Sequence, residues 1–169
     1  MRGLRGLKDK NILWLISTIV IFIDILSKIL VKNFLLLGHK NKIIDNFFYI
    51  TYVKNTGAAW SIFSGVTILI TIITLIIIAI LIYYIINHTL NKIETVSYAL
   101  ILGGAIGNLL NRIMYGYVID FLDFKIFNYD YPIFNIADIS IVIGVFLLII
   151  TMIRGENNAD NSRQSRKNR

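Results

Sequence analysis

Four long runs of apolar residues constrain the fold of this chain more than any other feature of its sequence. They occupy about residues 12–31, 66–86, 95–112 and 133–153, and a membrane-spanning helix needs about 20 mostly apolar residues. Only 16% of the 169 residues are charged, whereas a soluble domain carries about a quarter. The pattern predicts an all-α membrane protein in which residues 1–153 form a single domain of four transmembrane helices.

The distribution of basic residues predicts the orientation of these helices. Lysine and arginine are enriched in the cytoplasmic segments of membrane proteins. If both termini are cytoplasmic, ten of these residues lie in cytoplasmic segments and six in the outer loops. We therefore expect both termini in the cytoplasm, a retained first helix rather than a cleaved signal peptide, and a disordered basic tail over residues 154–169. The net charge of +7 is then explained by segments beside the membrane, and no nucleic-acid partner is expected.

The two outer loops differ in composition. Residues 43–63 are rich in aromatic and β-branched residues and reach a glycine at Gly57, a pattern typical of one or two short strands ending in a turn. We expect a small extracytoplasmic β-sheet and loop, over about residues 38–65, at the outer membrane surface. The stretch 116–132 is too short and too mixed in composition to form a domain of its own.

Two ionisable residues interrupt the first apolar run. Asp24 and Lys28 are four residues apart and therefore lie on one face of a helix. A charged residue at the centre of a span costs roughly 2.5–3.5 kcal/mol on insertion scales, so each is a candidate functional residue. The alternative is an internal ion pair in which the Lys28 amino group reaches the membrane surface.

The outer end of the third run combines small and polar residues. Its segment GGAIG, residues 103–107, favours close helix packing, as small residues often do in membranes. Asn108, Asn111 and Arg112 follow within about one turn. Only partners inside the protein could offset their desolvation there.

Two further carboxylates flank the start of the fourth run. Asp120 and Asp138 are 18 residues apart, at helix ends that lie on the same side of the bilayer. Two carboxylates brought together near an apolar boundary share one proton, so one can accept a proton from water while the other polarises a carbonyl group. This is the chemistry of aspartic proteases. A solvated loop position for Asp120, a helix N-cap role for Asp138, or a proton or ion pathway would account for the same residues.

Other catalytic chemistries lack their residues. The chain contains no cysteine and two histidines, which excludes thiol catalysis and argues against a histidine-based metal site. No metal and no cofactor is expected.

Five segments, in order, resemble motifs of the lipoprotein signal peptidase family, also called signal peptidase II, whose members are intramembrane aspartic proteases. The family's D-x-x-x-K is similar to Asp24 and Lys28, and its N-x-G-A-A-F/W-S/G to NTGAAWS at residues 55–61. GGAIGNLLNR at 103–112 resembles G-G-A-x-G-N-x-x-D-R and is followed by GYVIDF at the family spacing. FNIAD at 134–138 resembles F-N-x-A-D. The resemblance covers about residues 20–150.

The resemblance implies roles for named residues. Asp120 and Asp138 would be the catalytic dyad. The residues that would bind substrate or support the site are Asp24, Lys28, Asn55, Gly57, Gly104, Asn108, Arg112, Asn135 and Ala137. The outer loop, with Trp60, would hold the substrate at the lipid–water boundary.

The resemblance also implies a substrate and a location. The family removes signal peptides from diacylglyceryl-modified bacterial prolipoproteins and cleaves on the amino side of the lipidated cysteine. We expect a monomer in the bacterial cytoplasmic membrane, surrounded by membrane lipids, with its active site near the extracytoplasmic face. A small ion or proton transporter that uses Asp24, Lys28 and Arg112 is the alternative function, but it leaves the NTGAAWS and FNIAD segments unexplained, while a purely structural scaffold leaves the polar cluster unexplained.

One position departs from the family pattern. Asn111 stands where the family usually has Asp. An amide can form hydrogen bonds but supplies no negative charge beside Arg112. Either Arg112 pairs with another carboxylate, for which Asp123 is the candidate, or the charge at this position is not essential.

Overall fold

The computed structural model describes residues 2–57, 66–127 and 129–167, and it describes the side chains of residues 10–57, 66–127 and 129–153. The helices are α1 (Arg2–Phe34), α2 (Thr67–Asn87), α3 (Lys92–Tyr115) and α4 (Ile136–Lys167). The strands are β1 (Lys40–Ile44), β2 (Phe48–Asn55), β3 (Val118–Ile126) and β4 (Tyr129–Asp130).

All four helices contain a segment long and apolar enough to cross a membrane. These segments are Lys10–Phe34, Thr67–Asn87, Lys92–Tyr115 and Ile136–Ile153. The prediction of four spans is confirmed. The fourth helix, however, starts at Ile136, three residues after the predicted residue 133. We expected disorder over residues 154–169, whereas α4 continues as helical backbone to Lys167.

Helix α3 lies at the centre of the bundle and packs on α1, α2 and α4. Its glycines permit this close packing. A Cβ atom at Gly103 would lie 2.8 Å from the Cβ of Val20 on α1, and one at Gly104 would collide with the carbonyl oxygen of Ala137 on α4. The structure therefore gives the small residues of the third run the packing role that the sequence indicated.

Helix α3 is capped at both ends. At its start the Asn91 side chain accepts from the backbone NH groups of Ile93 and Glu94, while the Glu94 side chain accepts from the Asn91 NH. At its end Gly116 adopts φ +75°, a left-handed conformation that glycine tolerates best. This turn sends the chain directly into β3.

The four strands form one antiparallel sheet in the order β1-β2-β3-β4. In the β2–β3 register Val53 pairs with Asp120 and Asn55 pairs with Val118. The sheet predicted over residues 38–65 is therefore only half of the sheet. The other half comes from residues 116–132, for which we predicted no strand.

A cluster of apolar side chains fixes the sheet to the bundle. Val31 of α1 packs with Tyr52 of β2 and with Ile119 and Phe121 of β3, and all four are buried. Because this cluster joins α1 to both central strands, it positions the start of β3, and hence Asp120, over the ends of the helices.

Candidate active site

Asp120 lies in β3 with only 2% of its surface exposed. Both of its carboxyl oxygens accept hydrogen bonds from asparagine amides. Asn135 Nδ2 donates to Oδ1 at 2.6 Å and Asn55 Nδ2 donates to Oδ2 at 2.8 Å. These donors come from β2 and from the residue before α4, so two segments outside β3 hold this carboxyl group in place.

Asp138 lies in the first turn of α4 and exchanges hydrogen bonds with Asn135. The Asp138 NH donates to Asn135 Oδ1 at 3.0 Å, and the Asn135 NH donates to Asp138 Oδ2 at 3.1 Å. Asn108 Nδ2 on α3 donates to the other oxygen, Oδ1, at 2.7 Å. The N-cap of α4 is thus Asn135, and Asp138 is its reciprocal partner.

The two carboxyl groups meet at Asn135, which contacts one through its side chain and the other through its backbone. Their proximity affects the pKa of Asp120, which lies in β3 and so outside the membrane-spanning helices. Burial, and to a lesser extent the neighbouring charge of Asp138, raises the pKa of Asp120 to about 7. Asp120 can therefore hold a proton at near-neutral pH.

Asp24 and Lys28 form a buried ion pair beneath this site. Lys28 Nζ lies 2.8 Å from Asp24 Oδ2, and the two side chains are 1% and 0% exposed. Lys28 also donates to Asn108 Oδ1 at 2.9 Å, and Asp24 Oδ1 accepts from the Ala137 NH at 3.0 Å. The pair therefore points inward and joins α1 to α3 and α4, and Lys28 does not reach the membrane surface.

In the described part of the chain, Arg112 forms a hydrogen bond with the turn that follows β2 and not with a carboxylate. One of its terminal nitrogens donates to the Gly57 carbonyl at 3.2 Å, and the Gly57 NH donates to Asn55 Oδ1 at 2.9 Å. Within the described residues Arg112 forms no ion pair. Asp123 instead accepts from Thr51 at 2.8 Å and pairs with Lys40 at 2.9 Å, so of the two alternatives the Arg112–Asp123 pair is wrong.

Asn111 fastens α3 to the strand that carries Asp120. It is buried, and its Oδ1 accepts from the Ile119 NH at 3.2 Å. A neutral amide suffices for this contact, because its oxygen accepts the bond without a charge. This contact could not be predicted from the sequence, because Ile119 belongs to a strand that was not predicted.

A cavity of about 970 Å³ opens beside the two carboxyl groups. It is lined by residues of α2, α3 and α4, of β2 and β3, and of the segment 129–134. Asp120, Asp138, Asn55, Asn108 and Arg112 lie on its wall, while the α2 part contributes Ile70, Thr74 and Ile77. The cavity therefore runs from a polar end beside the sheet to an apolar end between helices.

The structure thus brings together the residues that the sequence singled out. Gly104 and Ala137 contribute through close packing, and the remaining predicted site residues contribute through hydrogen bonds. Trp60 lies outside the described residues. The cavity-lining residues 129–133 were missed, because no motif marks them. Over the described part of the chain, no group of three or more His, Cys, Asp or Glu side chains is placed to hold a metal ion.

Comparison with known proteins agrees with this arrangement. The family described as Signal peptidase (SPase) II matches residues 16–154. A lipoprotein signal peptidase of Bacillus pumilus is 45% identical over 141 residues, which are 83% of this chain and 91% of that protein. One from Staphylococcus aureus is 41% identical over 145 residues, or 85% of this chain and 89% of that protein.

Solved structures show the same fold. A bacterial membrane enzyme determined by the in meso method at 2.3 Å resolution superposes with a TM-score of 0.82 at 39% identity, over 88% of this chain and 91% of that one. A second, at 1.9 Å resolution, gives a TM-score of 0.76 at 40% identity, over 84% and 92%. This multi-pass membrane protein therefore belongs to the signal peptidase II family of aspartic peptidases.

Proposed function

We propose that this enzyme removes the signal peptide from diacylglyceryl-modified prolipoproteins by cleaving the peptide bond on the amino side of the lipidated cysteine, with Asp120 and Asp138 as its catalytic dyad. One observation carries the proposal. Two carboxyl groups from different elements, β3 and α4, share Asn135 at the polar end of a cavity that continues between membrane helices. A membrane-embedded peptide could reach this place without leaving the bilayer.

The environments of the two carboxyl groups suggest different roles. Asp138 lies at the N-terminus of α4, where the helix dipole favours a negative charge. Asp120 is buried, and its raised pKa of about 7 favours the protonated form. We therefore assign the general base to Asp138 and the general acid to Asp120.

Cleavage then proceeds by addition of water and collapse. Asp138 takes a proton from water as the water oxygen attacks the scissile carbonyl carbon, and Asp120 gives its proton to the carbonyl oxygen. The resulting tetrahedral diol returns its hydroxyl proton to Asp120 as the C–N bond breaks, and Asp138 protonates the leaving nitrogen. The products are a signal peptide with a new carboxyl end and a mature chain with a free amino group on its cysteine, and the dyad regains its starting protonation.

The remaining residues support binding and orientation. Arg112 and Asn55 fix the Gly57 end of β2 beside the dyad. The apolar walls from α2 and α4 suit a signal-peptide helix or the acyl chains of the modified cysteine. The distribution of basic residues supports cytoplasmic termini in the bacterial cytoplasmic membrane, and an active site near its outer face. We propose that the enzyme acts as a monomer, without metal or cofactor.

Cleavage of a synthetic diacylglyceryl-modified prolipoprotein by the purified protein in detergent, with a chelator present, tests this function. The wild type should cut before the lipidated cysteine, while Asp120→Asn and Asp138→Asn should each lose activity by about 10³-fold or more and still fold. Asp45→Asn is the matched control, because Asp45 is a 67% exposed acid in the turn between β1 and β2. Full activity in either dyad variant would contradict the assigned dyad, and no cleavage by the wild type would contradict the function.

A further inference from the structure

Lys28 is a buried cation that the proposed chemistry does not use directly. Its ammonium group is enclosed, and its two hydrogen bonds go to Asp24 on its own helix and to Asn108 Oδ1 on α3. The Asn108 amide also contacts Asp138. Lys28 is therefore one side chain removed from the proposed base.

The Asn108 side chain uses its amide oxygen and its amide nitrogen for different neighbours. Lys28 Nζ and Asn135 Nδ2 both donate to its oxygen, at 2.9 and 3.2 Å, while its own Nδ2 donates to Asp138 Oδ1 at 2.7 Å. A rotation of 180° about the last side-chain bond would exchange oxygen and nitrogen with little change of shape. An ammonium group has only donors, so Lys28 cannot pair with the NH2 end and opposes this rotation.

The orientation matters for the ionisation of Asp138. An NH2 group that donates to a carboxylate favours its charged form. After rotation, the Asn108 oxygen would face the carboxylate, and two acceptors in contact favour protonation of the acid. A protonated Asp138 cannot accept a proton from water.

Lys28 can impose an orientation because its partner Asp24 is itself held in place by α3 and α4. Asp24 holds it at 2.8 Å, and the Ala137 NH at the start of α4 holds Asp24 at 3.0 Å. Gly107 of α3 leaves the space that the Asp24 carboxylate fills, since a Cβ there would lie 2.5 Å from Asp24 Oδ2. Lys28 is therefore paired with a carboxylate that contacts both α3 and α4.

We propose that Lys28 is a positioning residue that holds the Asn108 amide with its NH2 group on Asp138, and that it thereby keeps Asp138 ionised for the reaction. The inference rests on the proposed function for the role of Asp138. The charged groups that act on Asp138 are Asp24 and Lys28 from α1, Arg112 from α3 and Asp120 from β3. A decisive variant must therefore leave their net charge unchanged.

The double variant Asp24→Asn/Lys28→Met meets this condition, because it removes one charge of each sign and leaves no buried charge unpaired. Infrared difference spectroscopy of the full-length protein in detergent measures the protonation of Asp138 as a function of pH, with the band assigned by its loss in Asp138→Asn. The midpoint should rise by about one pH unit in the double variant, a tenfold change in proton affinity. An unchanged midpoint would overturn the proposal. Because no substrate is needed, the result is separate from any failure of the proposed cleavage.

Three further variants distinguish positioning from other effects. Ser17→Ala removes a buried hydrogen bond between α1 and α3 two turns before Asp24, and it should leave the midpoint unchanged. In an Asn108→Leu background the double substitution should add no further shift; an equal shift there would mean that Lys28 acts without Asn108 and would overturn the proposal. If the methionine variant does not fold, Asp24→Asn/Lys28→Leu replaces it with another side chain that offers Asn108 no donor, and the same two outcomes decide.

Discussion

Neutral amides, rather than opposite charges, surround the two carboxyl groups at the scale of single residues. Asn55 and Asn135 donate to Asp120, and Asn108 and the Asn135 backbone donate to Asp138. Amide donors fix the position of a carboxyl group without the strong bias toward ionisation that a contacting cation would impose. This arrangement leaves Asp120 able to keep a proton at near-neutral pH.

The protonation of Asp120 predicts the pH dependence of the enzyme. Its pKa is raised by burial from 3.8 to about 7, so cleavage that needs the protonated form should fall as pH rises above about 7. The folded state then binds more protons than the unfolded state between those values. The stability that this group contributes is therefore complete below about pH 4 and is lost as pH rises through about 7.

Cleavage rates and thermal unfolding, each measured from about pH 5 to 9, test this prediction. Asp45→Asn should keep the wild-type profile, and Asp120→Asn should show a weaker decline of melting temperature with pH. A value of kcat/KM that still rises at pH 9 would show that Asp120 is not the acid.

Asn135 joins α4, a helix that could be predicted from the sequence, to β3, a strand that could not. The FNIAD motif marked Asn135 and Asp138, and the apolar run marked the helix that follows them. Strand β3 was missed because its partner β2 lies about 70 residues earlier in the chain, and because acids at Asp120 and Asp123 interrupt the apolar alternation that indicates a strand. Both acids are buried by partners from β1, β2 and the segment before α4. Such burial depends on tertiary contacts that no local pattern reports.

Substitution of Asn135 should separate its two roles. Asn135→Ser keeps an N-cap oxygen for the Asp138 NH, whereas Asn135→Ala removes it and should cost about 1 kcal/mol of additional stability. Both variants lose the Nδ2 group that donates to Asp120 and Asn108, so both should lose cleavage activity by about tenfold or more. Thermal unfolding and kcat measured on the same preparations test the difference. Wild-type activity in Asn135→Ser would show that the cap alone matters.

For the molecule as a whole, the sequence predicted the four helices but not the cavity that lies between them. Hydropathy identified four spans, because lipid-facing apolar residues such as Phe22 and Ile68 need no partner within the protein. The cavity, in contrast, results from packing. Helix α3 contacts both α2 and α4, while α2 and α4 stand apart along the cavity that both line. Spacing between helices is decided by residues such as Gly104 against Ala137, whose contact is visible only after the fold is known.

If the apolar part of this cavity binds the substrate within the membrane, a bulky residue on α2 should weaken binding and leave the chemistry intact. Ile77 lines the cavity, whereas its neighbour Ile76 does not and is 55% exposed. Ile77→Trp should raise KM about tenfold, the effect of about 1.4 kcal/mol of lost binding, and leave kcat and its pH profile unchanged. Ile76→Trp adds the same bulk to the same helix and should keep the wild-type KM. Steady-state cleavage of the lipidated substrate measures both. An equal rise in the two variants would attribute the effect to disturbance of α2, and no rise in Ile77→Trp would place the substrate outside the apolar part of the cavity.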